Sequence, residues 1–137
     1  MIEFTVYGKP KGKGRPRFTR YGHAYTPDDT RDYELEVRMA YIAAGGRLAA
    51  NEGPVEITIS AFYPIPKSAR KSIQAQMRDN VLLPMVKPDW DNVGKIICDA
   101  LNGVAWHDDA QVTRATVRKV YSLTPMVRVE IREATSC

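Results

Sequence analysis

Apolar and polar residues alternate with a period of two over Ile2–Tyr7, Val55–Tyr63 and Met126–Arg132, which predicts half-buried β-strands. Gln111–Ser122 predicts a further strand. A different pattern lies between these stretches. Thr26-Pro27-Asp28-Asp29 reads as a helix start, with Thr as N-cap, Pro in the first turn and acids near the positive end of the dipole, and the helix runs to Gly45-Gly46. Pro64 and Pro66 end the strand before them, and Lys67–Arg78 predicts a second, basic helix. A third begins at Asp89 or Asp91 and closes at Asn102-Gly103. The stretch R-F-T-R-Y-G-H-A-Y-T predicts a small hairpin turning at Tyr21-Gly22. These elements predict an α+β protein: a two-layer α/β sandwich with a small mixed sheet of about four strands packed by two to three helices. With 137 residues and no repeat or linker, the chain is expected to form a single domain over residues 1–137.

Charge changes this picture in two places. Between Gly8 and Thr26 stand six basic residues (Lys9, Lys11, Lys13, Arg15, Arg17 and Arg20) and no acid, in a Gly/Pro context that excludes regular structure over its first half. The remaining 118 residues carry fourteen basic and sixteen acidic groups, so the positive potential is concentrated in one segment suited to a polyanion. Lys67, Arg70, Lys71 and Arg78 either extend that surface or solubilise it. Phe18 and Tyr21 either stack at an opened nucleic-acid junction or pack their hairpin on the body. The opposite charge gathers in Lys87–Asp109, which holds five of the sixteen acids: Asp89, Asp91, Asp99, Asp108 and Asp109. Two cysteines give no disulfide framework, no apolar run approaches the roughly 20 residues of a membrane span, and a reducing cytoplasmic setting is expected. Two His and two Cys at unrelated spacings argue against zinc.

On a helical projection, Val93, Ile96, Ile97, Ala100 and Leu101 share one side of the third helix; Asp91, Lys95, Cys98, Asp99 and Asn102 share the other. Two readings of the acids follow. In one, Asp89 is an N-cap, Asp91 a dipole partner, Asp91–Lys95–Asp99 an exposed ladder of i,i+4 ion pairs, and Asp108-Asp109 an ordinary turn. In the other, carboxylates converge on a divalent cation, for which Mg²⁺ wants hard oxygen ligands, while Lys95 faces a phosphate. Residue spacing leaves both open.

The ordered run K-P-D-W-D-N-V-G-K-I-I-C-D-A-L-N-G-V-A-W-H-D-D-A-Q-V resembles the signature of the RusA-type Holliday junction resolvases: D-x-D-N, a Lys four positions after the second Asp, D-A-L-N-G, then D-D-x-Q-[VI]. The opening G-K-P-K-G-K-G-R-P-R-F is similar to the family's G-x-P-x-x-K-x-R-P-R. The resemblance implies that Asp89, Asp91 and Asp109 are metal-binding catalytic acids, with Asp108 at a matching acidic position, and that Lys95 is the essential lysine. It moves Asp99 towards structural support. It further implies a Mg²⁺-dependent homodimer, of bacterial and often prophage origin, that resolves four-way DNA junctions by paired symmetric nicks in recombination and repair. Lys9, Lys11, Lys13, Arg15, Arg17 and Arg20 would contact DNA. Pro88 stands where some members carry a basic residue, and Lys87 is the nearest substitute. Rival readings are a non-catalytic nucleic-acid-binding protein and a nuclease acting mainly on flaps or forks.

Overall fold

In a computed structural model, residues 1–14, 17–25 and 28–134 are described, without the side chains of Arg17 and Tyr25. The chain runs β1 (Ile2–Tyr7), β2 (Arg17–Phe18), β3 (Ala24–Tyr25), α1 (Asp28–Ala43), β4 (Val55–Pro64), α2 (Lys71–Arg78), α3 (Trp90–Leu101), a 3-10 turn (Asp109–Gln111), β5 (Val112–Ser122) and β6 (Met126–Glu133). The expected α+β sandwich is present, with a mixed four-stranded sheet and three helices. The helix start expected at Thr26-Pro27 lies outside the described residues. The second helix is shorter than its pattern predicted, beginning at Lys71 rather than Lys67.

Strands lie in the order β1-β6-β4-β5, with β4 and β5 parallel and the other pairs antiparallel. Although β5 and β6 are separated by only Leu123–Pro125, they do not pair; they flank β4, and the connection passes the end of that strand. Pro64 at that end has no N–H to give a ladder, so the crossing sits where the sheet has least to lose.

The inward positions of β4 (Val55, Ile57, Ile59, Ala61 and Tyr63) and of β6 (Val127, Val129 and Ile131) form the floor of the core. Helices α1 and α3 cover it, packing against β1, against β5 and against each other. Val93, Ile96, Ile97, Ala100 and Leu101 of α3 are fully buried, as the projection requires. Burial of each large aliphatic among them contributes about 1.5–3 kcal/mol. The opposite face of the sheet carries charge pairs, Arg128 with Glu3 at 3.6 Å and Arg132 with Glu130 at 3.4 Å, and α2, which buries none of its residues, packs against β5. Gly45, with φ +94°, and Gly46 end α1 by returning N–H groups to the Ile42 and Tyr41 carbonyls at 3.0 Å each. Any side chain at Gly46 would collide with the Tyr41 ring.

Tyr33 packs on α1 with its hydroxyl buried and, among the described residues, unmatched by a hydrogen-bond partner; burial and then the charge of Glu36 push its ionisation well above the usual phenol range. An unmatched buried hydroxyl is a cost rather than a support. Tyr33→Phe should therefore leave the chemical-denaturation midpoint unchanged or raise stability by up to about 1 kcal/mol. A clear loss of stability would show that the hydroxyl has a partner.

Candidate functional site

The hinge of the site is the N-terminal turn of α3. Asp89 takes the N-cap position in extended conformation, and its carbonyl accepts the Val93 N–H at 3.0 Å. Its carboxylate makes no capping bond to the helix. Instead it is half exposed and meets Lys87 Nζ at 3.2 Å. An N-cap Asp normally spends its side chain on the first-turn N–H groups. This one keeps it free.

The stretch before Asp89 is held rigidly. Tyr63 donates its hydroxyl hydrogen to the Pro88 carbonyl at 2.5 Å, and Lys119 donates to the Val86 carbonyl at 2.7 Å while its ammonium lies 4.9 Å from the centre of the Tyr63 ring. Burial, with the nearby charge of Asp89, pushes the Tyr63 phenol up to about 12. Tyr63 therefore acts as a neutral donor.

The basic segment lies across this same turn. Gly12 approaches so closely that a Cβ there would come 2.9 Å from Cβ of Pro88 and 3.0 Å from that of Asn92, and the Lys13 N–H reaches the Asn92 carbonyl at 3.2 Å. Lys13, expected to track phosphates, turns its ammonium inward between Glu34 of α1 at 3.0 Å and Asp99 of α3 at 3.1 Å. Burial pulls its pKa down, but hydrogen bonds and charge from those two carboxylates outweigh it, leaving the group above its ordinary value. Asp99 therefore pairs with Lys13, and no Asp91–Lys95–Asp99 ladder forms among the described residues. Asp91 and Lys95 project from α3 into solvent.

Lys9, Lys11 and Arg20 are exposed. Lys11 lies 5.9 Å from the centre of the Tyr33 ring and Arg20 lies 5.7 Å from that of Tyr21. Arg15 and the Arg17 side chain lie outside the described residues. The expected hairpin is formed by β2 and β3, with the Thr19 N–H donating to the His23 carbonyl at 2.8 Å and Gly22 at φ +83°. Phe18 and Tyr21 are 69% and 79% exposed, so neither packs the hairpin on the body.

Beyond α3 the chain returns through Trp106, whose fully buried ring carries an indole N–H that donates to Asp109 Oδ1 at 2.8 Å. Asn102 Oδ1 accepts the Asp109 N–H at 3.0 Å. Asp108 is spent differently. Its carboxylate accepts the Ala110 N–H at 3.1 Å, the Gln111 side chain accepts the Asp108 N–H at 3.0 Å, and the two form a capping box. Gln111 also donates to the carbonyls of Asn51 and Gly53 at 2.9 Å each. In D-D-A-Q the first Asp and the Gln thus build the turn, and the second Asp is presented by it. Asp108, expected beside the metal ligands, is held by the backbone. Asn102 and Gln111 stand in the quoted signature but were given no role by it, and Trp106 was not singled out, because an aromatic residue near a turn has no period that marks it.

Burial first, and then the charges of Asp99 and Asp108, raise the Asp109 carboxyl above its ordinary value, against the lowering effect of the Trp106 bond. Burial and the charges of Asp109 and Asp99 push the Cys98 thiol up to about 12. Asp99 and Asp109 thus act on Cys98, and Asp99 and Asp108 on Asp109, whereas Asp89 and Asp91 lie at the other end of the helix. Among the described residues, no three His, Cys, Asp or Glu side chains are gathered as a ready metal cage. Mg²⁺ does not need one, since it keeps several waters and takes one or two carboxylates with substrate phosphate. The donor chemistry fits: the Asp89 and Asp91 carboxylates are free of backbone bonds, and Asp109 has one oxygen beyond the indole bond.

The chain is thus an α+β sandwich with carboxylates on one helix and a basic loop fastened to that helix's first turn. Residues 7–132 match the family described as Endodeoxyribonuclease RusA, and the chain belongs to that family. It is also 37% identical over 139 aligned positions, covering 98% of each chain, to a Bacillus subtilis (strain 168) protein described as "Uncharacterized protein YqaN". Members of the family are hydrolases that cut DNA internally. Among the described residues no helix is long and apolar enough to cross a membrane.

Removing the indole donor should release Asp109 without removing it. Trp106→Phe is expected to lower DNA cleavage by roughly 10- to 100-fold, the usual cost of losing a group that orients a ligand, with the far-ultraviolet circular dichroism retained. Wild-type cleavage by this variant would remove Trp106 from the site.

Proposed function

We propose that the protein is a Mg²⁺-dependent, structure-selective endodeoxyribonuclease of the cytoplasm. As one domain per subunit, it resolves four-way DNA junctions by paired nicks in recombination and repair. The observation that carries this reading is the state of Asp89: it occupies an N-cap position, yet its carboxylate is withheld from the helix and stands half exposed beside Lys87 and under the basic loop. An acid serving only the helix would make the capping bond.

Asp89 and Asp91 at the start of α3, and Asp109 beyond its end, would hold one or two cations, which supply Lewis-acid polarisation and charge neutralisation at the scissile phosphate when bound. Lys95, exposed on the same helix face as Asp91, would contact that phosphate and steady the charge that develops on it. Lys9, Lys11, Arg15, Arg17, Arg20 and Lys87 would position the strand through its phosphates. Lys13 would support that surface from beneath, by fixing the loop to α1 and α3. The exposed Phe18 and Tyr21 on the β2–β3 hairpin suit stacking at an opened branch point.

A two-fold junction calls for two related cuts, which a C2 homodimer supplies. Leu35, Met39 and Ile42 stand 52%, 60% and 43% exposed at i, i+4 and i+7 on the outer face of α1, an apolar stripe that supports self-association. If the stripe is the interface, Met39→Arg should convert a sedimenting dimer to monomer. A wild-type protein that sediments as a monomer at working concentration would exclude the dimer.

The catalytic assignment is tested with Asp89→Asn and Asp91→Asn on synthetic four-way junctions, flaps and linear duplexes side by side. Each variant should lose cleavage by roughly 100-fold or more, on the scale of losing a group that stabilises the transition state. Junction binding should stay intact or tighten, because a repulsive charge is removed. Chelation of Mg²⁺ should stop the wild-type enzyme, and a variant cutting at the wild-type rate would overturn the site.

A further inference from the structure

A cleft of about 180 Å³ opens beside the catalytic turn, lined by Pro10, Pro64, Pro66 and Tyr121 with Lys9 and Lys87. Pro88, the residue before Asp89, also lines it. It is well below the roughly 300–1,000 Å³ of a site for a drug-sized ligand, and its scale is that of one ring system. Proline rings and two tyrosines, Tyr63 and Tyr121, present apolar faces, the charged lining residues are both lysines, and no acid is among the lining residues.

The cleft is also rigid. Tyr121 stands opposite Tyr63 across the parallel β4–β5 pair. Tyr63 has its hydroxyl on the Pro88 carbonyl and its ring under Lys119, which in turn holds the Val86 carbonyl. Gly12 is packed against the far side of Pro88. The cleft walls are thus tied to the sheet and to the basic loop. A planar group with an apolar face, attached to an anion and brought within one residue of Asp89, is what these features select.

We propose that the cleft receives an unstacked nucleobase from a nucleotide adjoining the phosphate that is cut, with its backbone phosphates on Lys9 and Lys87. The inference rests on the nuclease reading and extends it to the origin of structure selectivity. A base inside a continuous duplex must be unstacked and unpaired to enter, whereas one at a branch point is already partly free. Capture of the base therefore favours branched over linear DNA without reading sequence, since every base offers a π-face for stacking.

The test uses the full-length protein and four-way junctions carrying 2-aminopurine, whose fluorescence reports stacking, at successive positions around the cut. Binding is read in EDTA, so the signal does not require cutting. Wild-type protein should change the fluorescence at one position flanking the cleaved phosphate. Tyr121→Ala should abolish the change, Tyr121→Phe should restore it, and the exposed Lys9→Glu should weaken it without disturbing the fold.

In Mg²⁺, an abasic site at that position should slow wild-type cutting by roughly 5- to 150-fold, the range expected for one lost base–aromatic stack. Tyr121→Ala should show the same loss on the intact junction and little further loss on the abasic one, because partners in one contact are not additive. Multiplying effects, or an unchanged fluorescence at every position with cutting retained, would overturn base capture alone. A positional fluorescence change without metal-dependent cutting of any DNA would overturn the nuclease reading and leave base capture standing. Absence of both signals would overturn both.

Discussion

One ammonium group ties the two chemically opposed halves of the protein together. Lys13 leaves the basic loop and enters a niche between Glu34 of α1 and Asp99 of α3. An ammonium taken out of water needs its charge matched and its donors used, and the two carboxylates do both. Its main-chain N–H is bound to α3 one turn after Asp89, so the loop is fastened at two points along the same helix. Without this bridge, a glycine- and proline-rich segment bearing like charges would have little reason to lie against any surface. With it, the loop is fixed to the body, Lys11 stands over the Tyr33 ring and Lys9 borders the cleft beside Pro88.

The same economy of carboxylates runs through the whole site. Three of the five acids in Lys87–Asp109 have partners that shape the chain or orient the group: Asp99 takes Lys13, Asp108 builds the turn with Gln111, and Asp109 accepts the Trp106 indole. Asp89 meets only an exposed lysine from its own strand of chain, a contact weakened by solvent, and Asp91 faces water. Acids grouped this way divide into those that hold the scaffold and those left available. The division follows from which donors the fold brings close, since all five side chains are chemically alike.

Rigidity at the first turn of α3 has an analogous source. Tyr63 is a core residue whose hydroxyl reaches out of the core to a main-chain carbonyl one residue before Asp89. A well-packed interior transmits its stiffness to whatever is bonded to it. The cleft walls and the first turn of α3 therefore inherit the order of the sheet, although they lie at its rim. Presentation of Asp109 follows the same rule, because its orienting indole is itself fully buried.

Much of this could be read from residue order alone. The strands at Ile2, Val55 and Met126 and the two faces of α3 follow from periods of two and 3.6, because burial of one face is a local demand that each residue meets or fails. The turn at Tyr21-Gly22 was legible because a positive φ calls for glycine. The D-x-D-N and D-D-x-Q order marked the acids. Three things were not legible. Strand order was hidden because periodicity does not say which strands pair, so β5 and β6 came to flank β4 despite a connection of three residues. The inward turn of Lys13 was hidden because nothing in a run of like charges distinguishes the one that will meet carboxylates from α1 and α3. The separate fates of Asp108 and Asp109 were hidden because a turn cap and the acceptor of a buried indole share one residue type. Local pattern determined which surfaces would be buried; only the tertiary structure decided which polar atoms would meet, because hydrogen bonds and ion pairs depend on distances of a few ångströms between residues far apart in the chain.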